Sequence, residues 1–192
     1  MIFEHLLIFG GVCVVVWFLA IYFWPRMLLS VYKRAILVKG FGEGPVPINT
    51  IWTEPQAIFA DPFNLPASAP KVATSGVNRD TLLVLGWLDL RKGSQILHVP
   101  DFSGRYYSVQ FTDPSKNINF AYVGTRTMGT KAGDHLITGP NWKGTVPQGM
   151  KQIASPNSSV LVIGRILVYN DNDLATAYGL AKQIQLTPSN NA

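Results

Sequence analysis

Apolar and polar positions follow two different patterns along this chain. From Leu6 to Trp24, nineteen consecutive residues (LLIFGGVCVVVWFLAIYFW) carry no charge and show no polar face. Coiled as a helix they span about 28 Å, close to the roughly 30 Å of a bilayer's hydrocarbon core. Tyr22 and Trp24 stand at one end, where amphipathic rings favour the membrane–water boundary, and Pro25-Arg26 mark the exit. A cleaved signal peptide has a basic start, a shorter apolar core and small residues at its cleavage site. Here the start carries Glu4 and His5, and bulky residues fill the exit. The segment therefore predicts a single transmembrane helix. The next stretch, RMLLSVYKRAILVK (Arg26 to Lys39), reads as a basic stem. It is either a plain helical lead into the domain or a surface helix whose cations snorkel while Met27, Leu28, Val31 and Leu37 face lipid or protein.

Beyond Lys39 the pattern changes. Residues 40–73 are punctuated by Gly and Pro (GFGEGPVP, NLPASAP) and predict a linker packed on the domain, with one short helix near Pro55 to Ala60. Short apolar or alternating runs then recur: Thr81–Leu90, Ile96–Val99, Tyr106–Thr112, Asn119–Val123, His135–Thr138 and Ser159–Tyr169. In YYSVQFT, Tyr107, Val109 and Phe111 share one face and Tyr106, Ser108 and Gln110 the other, the period-2 signature of a half-buried strand. Turn formers separate the runs (DFSGR, TDPSKN, GTKAGD, GPNWKG, ASPNSS). One segment has helical period: Asp173 to Ile184 puts Leu174, Ala177, Tyr178, Ala181 and Ile184 on one side, with Asp171 or Asp173 as cap. The predicted fold is mainly β: an antiparallel sandwich, jelly-roll-like, over residues 74–188 with one C-terminal helix and a short polar tail at 189–192.

Charge and cysteine content sharpen this picture in two places. The formal net charge is +5, but Arg26, Lys33, Arg34 and Lys39 all belong to the stem, and no basic run interleaved with aromatics follows. That distribution points to lipid head groups and excludes nucleic acid as the partner. Cys13 is the only cysteine and lies in the apolar run, so neither an intrachain disulfide nor a cysteine metal site can form. The basic flank after the span predicts a cytoplasmic domain by the positive-inside rule.

Several blocks, taken in order, resemble a known family. They are GVNRDTL (Gly76 to Leu82), WLDL (Trp87 to Leu90), LHVPDFSGRYYSVQFTD (Leu97 to Asp113), NFAYVGTRTMGTKAGD (Asn119 to Asp134), ITGPNWKGTVPQGM (Ile137 to Met150), SPNSSVLVIGRILV (Ser155 to Val168) and QIQLTP (Gln183 to Pro188). Together, over roughly residues 50 to 188, they are similar to the domain of unknown function 1254 family. The resemblance implies a β-rich, jelly-roll-like domain that is often followed by a domain of unknown function 1214. The chain is read as a stand-alone first half, with a separately encoded second half as an expected partner and homo-oligomerisation as a further expectation. Members are commonly exported, which implies a domain outside the cytoplasm, against the charge rule; the outside is preferred.

The polar residues offer candidates for chemistry but no catalytic motif. Asn78, Arg79 and Asp80 adjoin a predicted core strand; Arg79 can grip a carboxylate or phosphate, and Asp80 can act as an acid or base. The bland alternative is a turn plus a structural ion pair. Asp101, Arg105, Tyr107 and Asp113 flank the alternating strand and offer a carboxylate–Arg–Tyr pocket for a polar or anionic ligand, or else turn chemistry with a salt bridge. Arg126 and Arg165 each follow a glycine-containing turn or strand, and are read first as members of buried ion pairs; Arg126 is also a ligand candidate. Trp142, in GPNWKG, is either a rim aromatic or a stacking platform. His98 and His135 lack metal-ligand spacing, and nothing calls for a metal or cofactor. No GxSxG, HExxH, GxGxxG or phosphate-loop signature occurs. The expected role is a binding or assembly module at the membrane surface, the alternative an enzyme or substrate-binding subunit.

Overall fold

The computed structural model describes residues 2–40, 44–53 and 80–189. The chain divides into two units, residues 1–45 and 46–192. The first is one helix, α1 (Ile2–Lys39). Its 38 residues make it about 57 Å long, nearly twice a hydrocarbon core. It is long and apolar enough to cross a membrane. Val15, Trp17, Phe18, Phe23 and Trp24 all stand more than half exposed along it. A surface of this size without protein cover is unfavourable in water.

The second unit is built of two sheets. Strands β1 (Ile51–Thr53), β2 (Thr81–Asp89), β4 (Tyr107–Asp113), β5 (Ile118–Gly124) and β8 (Ser159–Leu167) form one, in the order β1-β2-β8-β4-β5, with every pair antiparallel. Strands β3 (Gln95–Val99), β6 (Gly133–Thr138), β7 (Lys151–Ala154) and β9 (Gln185–Pro188) form the other, in the order β7-β6-β3-β9. Here β6 and β7 run parallel, a departure from the all-antiparallel expectation. The reason is chain length. Residues 139–150 separate the two strands, and a parallel pair needs a crossover of about a dozen residues rather than a tight turn. GPNWKG opens that crossover.

The apolar alternation dictates which faces meet. In the nine-residue β2–β8 ladder, Leu82, Val84 and Leu88 pair with Ile166, Gly164 and Val160 on the inner face. Tyr107, Val109 and Phe111 extend that face across β4, each at 1% exposure or less. Leu97, Val99, Ile137 and Ile153 from the second sheet belong to the same buried cluster, so the two sheets share one core. Ala177 and Ala181 of α3 (Leu174–Ala181) enter it as well, with Leu174 and Tyr178 packed at its edge. Fully burying each Val, Leu, Ile or Phe side chain of this core contributes about 1.5–3 kcal/mol.

Some elements differ from expectation. β1 lies within the segment read as linker, and β9 lies inside the domain but outside the runs read as strands. Both are short edge strands of three and four residues, with little apolar alternation to signal them. Arg165 does not enter a buried ion pair: it is exposed, because its register opposite Leu83 and Ser108 places it on the outer face of β8. The helix expected near Pro55 to Ala60 lies outside the described residues.

Candidate functional site

The alternating strand β4 separates residues that the sequence places close together. Asp101 opens the turn before it, accepting the Ser103 amide at 2.7 Å. Ser103 and Gly104 follow with φ of 50° and 86°, a left-handed pair for which glycine is suited. Tyr107, at the start of β4, is a core residue stacked on Phe102 with ring centroids 4.2 Å apart, and burial pushes its phenol upward in pKa. Asp113 stands at the far end, about 20 Å along the strand. There it accepts the Ser115 amide at 2.9 Å, the Ser115 hydroxyl at 2.7 Å and Asn157 Nδ2 at 3.2 Å. Burial pulls the Asp113 carboxyl upward, but these hydrogen bonds outweigh it and hold the group below the usual carboxylate range.

Arg105 has a dedicated partner. Its Nη1 and Nη2 donate to the two Asp173 oxygens at 2.5 and 2.6 Å, and Nη1 also donates to the Leu167 carbonyl at 2.7 Å. The guanidinium lies 4.7 Å from the Tyr169 ring. Its hydrogen bonds lower the Asp173 carboxyl and raise Arg105. Asp173 occupies the N-cap position of α3, yet its side chain caps nothing there; it takes Arg105 and the Tyr169 amide instead. This pair fastens the start of α3 to the entry of β4.

Asp80 is exposed, and its carbonyl accepts the Val168 amide at 2.8 Å. Arg126 is exposed on α2 (Thr125–Met128), 5.9 Å from the Tyr106 ring. Asn78 and Arg79 lie outside the described residues. Among those described, Asp101, Arg105, Tyr107 and Asp113 thus occupy separate turns and pairs rather than one pocket.

Trp142 lines an open groove that none of the other described candidate residues lines. The crossover loop, residues 139–144, faces the 3-10 turn Leu90–Lys92 and encloses a groove of about 570 Å³. Such a volume falls within the usual range for small-molecule sites. Leu90 and Pro140 contribute apolar lining; Ser94, Asn141 and Ser158 add polar groups; Arg91 and Lys143 bring cations. The loop is shaped around the indole. A Cβ on Gly144 would lie 2.6 Å from the Trp142 ring, so only glycine allows this approach. Arg91 is fixed by a fork onto Asp89, at 2.8 and 2.6 Å, which raises its pKa and holds the guanidinium at the rim. Chemically, the groove's lining combines an indole with two cations. It suits a flat or anionic group and contains no acid–base pair. Arg91 escaped the sequence reading because its turn lies far from the Trp142 loop in the chain; Asn141 and Lys143 flank Trp142 in GPNWKG, and the signal there is a cation followed by a glycine, as in RKG.

The family is decided by the domain's sequence. Residues 62–188 match the family described as Protein of unknown function (DUF1254). The chain belongs to that family. The DUF1254 domain of this chain is also similar to a solved structure, the VPA0106 protein from Vibrio parahaemolyticus. The two share 32% identity with a TM-score of 0.55, over 58% of this chain and 28% of the Vibrio chain. The chain thus spans under a third of that protein's length. No curated protein matches it.

Proposed function

We propose that this DUF1254 protein is a membrane-anchored binding module. In this reading α1 crosses the bilayer, and the β-domain, held on the outer side, offers the Trp142 groove to a partner or ligand bearing an anionic, flat group. The observation that carries it is the join: an exposed apolar helix of 38 residues leads into a DUF1254 domain. An enzymatic reading needs an acid, a base and a gripping cation converging on one cavity. The spread of Asp101, Arg105, Tyr107 and Asp113 among the described residues favours binding over catalysis.

The Vibrio relative carries the matched fold as 28% of a longer chain, beside further parts of the same polypeptide. That supports assembly with a domain of unknown function 1214, or with a second copy of this chain, as the use of the exposed domain surface. The jelly-roll-like description belongs to the same proposal, supported by two sheets around one core.

Three measurements test it. Alkaline carbonate should leave the full chain in the membrane pellet. A C-terminal tag should be cut by protease on intact cells; cleavage only in inverted vesicles puts the domain inside and overturns the sidedness. Purification in mild detergent should recover a stoichiometric partner or an oligomer, and a Trp142→Ala/Lys143→Ala variant should lose it while keeping its thermal transition. A solitary monomer at cellular abundance would sink the assembly reading.

A further inference from the structure

The uncharged run ends at Trp24, but the helix does not. α1 continues to Lys39, and its last fourteen residues would carry a straight rod about 21 Å past the span. At 100° per residue these fall on unequal faces. Leu29 and Ile36 lie on the covered side, with Ile36 at 4% exposure. Met27, Val31 and Val38 lie on the other, at 49%, 59% and 60%. This open face is apolar where a water-facing stem should be polar. Arg34 borders it on one side and Lys39 on the other, and residues 26–39 contain no acid. Where stem meets span, Pro25 cannot donate to the Ile21 carbonyl, which opens the helix to bending. Arg26 braces that point: its Nη1 donates to the Tyr22 carbonyl at 2.7 Å and its guanidinium lies 4.0 Å from the Tyr22 ring.

We propose that residues 26–39 form an interfacial helix. With α1 bent at Pro25, the Met27–Val31–Val38 face sits at the boundary between acyl chains and head groups, and Arg34 and Lys39 contact the phosphates of acidic phospholipids. The occupant is the bilayer surface rather than a second copy. A symmetric pair through this face would bring its bordering cations against each other, whereas acidic head groups neutralise them. The inference rests on the reading of α1 as a membrane span and adds a lipid preference to it.

The chain carries its own control, because Cys13 is its only cysteine and lies within the span. The full chain is placed in nanodiscs of phosphatidylcholine with phosphatidylglycerol, spin-labelled either at Cys13 or in a Cys13→Ser/Val31→Cys variant. Collision with oxygen, which concentrates in lipid, is compared with collision with a water-soluble nickel chelate. Both labels should favour oxygen, the Val31→Cys label at the shallower depth. Phosphatidylcholine alone, or an added Arg34→Ala/Lys39→Ala pair, should raise nickel access at Val31→Cys several-fold and leave Cys13 unchanged.

Nickel access at Val31→Cys with Cys13 in lipid overturns the interfacial helix and leaves the anchor standing. Nickel access at Cys13 overturns the anchor and the inference together. A Val31→Cys label shielded from both reagents means that protein, such as a second copy, covers the face, and this also overturns it. Depth that does not depend on phosphatidylglycerol removes the acidic-lipid contact.

Discussion

The two sheets contribute to one core, yet their inner faces differ in kind. The five-stranded sheet presents Leu82, Val84, Leu88, Val109, Phe111, Val160, Val162 and Ile166, all fully buried and apolar. The four-stranded sheet presents Leu97, Val99 and Ile137, but also Gln95 at 2% exposure and His135 at 5%. Gln95 Oε1 and His135 Nδ1 are buried without a hydrogen-bond partner among the described residues. A buried polar atom left unpaired costs about 1–3 kcal/mol. The difference lies in how polar groups are buried: those of the five-stranded sheet, such as Asp113 and Asp89, are hydrogen-bonded, whereas the four-stranded sheet buries two polar atoms without a partner among the described residues.

Substitutions can break this contrast in a graded order. The largest effect is expected at the apolar face. Phe111→Ala, deep in the five-stranded sheet, should destabilise the domain by about 4 kcal/mol in chemical denaturation. Next comes the ion pair that joins α3 to β4. Asp173→Ala strands the Arg105 guanidinium, at 7% exposure, and should cost about 3 kcal/mol. The same pair shapes the acid limb. Asp173 is depressed in the fold, so its contribution is complete above the ordinary carboxylate pKa near 3.8 and is lost as pH falls through the lower folded value. Denaturation of Asp173→Ala should therefore depend less on pH below about 4.

The four-stranded sheet should respond with the opposite sign. Gln95→Leu removes an unpaired buried oxygen at similar volume and should raise stability by about 1 kcal/mol. A loss instead would show that Gln95 has a partner that the apolar replacement removes. His135 gives a pH signature. Burial, helped by nearby Lys151, lowers its pKa below the usual 6.5. The unfolded chain thus takes up the proton first, and stability falls as pH drops below about 6.5. His135→Leu should flatten the thermal transition's pH dependence between neutrality and about pH 5. The smallest effect is expected on the outer face: Arg165→Gln should change stability by no more than about 0.5 kcal/mol.

The candidate site was only partly legible. Trp142 stood out because a tryptophan between glycines in a polar loop is a sparse signal. Arg91 did not, because its proximity to the crossover depends on the pairing of β3 with β6, which sets Gln95 opposite Ile137. The Asp101–Arg105–Tyr107–Asp113 grouping looked compact in sequence, but an extended strand moves residues apart by about 3.3 Å each and turns alternate ones to opposite faces. Arg105's true partner, Asp173, is 68 positions away.

What the sequence determined by itself was set by local period. The apolar run defined the core of α1. Period 2 fixed the inward phase of Tyr107, Val109 and Phe111, and period 3.6 fixed the buried side of α3 at Ala177 and Ala181. These follow from side-chain direction along a single element, which neighbouring residues dictate. Tertiary structure alone decided strand order, the parallel β6–β7 pair, the outward register of Arg165 and the choice of Asp173 for Arg105. Each depends on which distant strands lie side by side, and that is selected by burying both inner faces together rather than by any segment's own pattern.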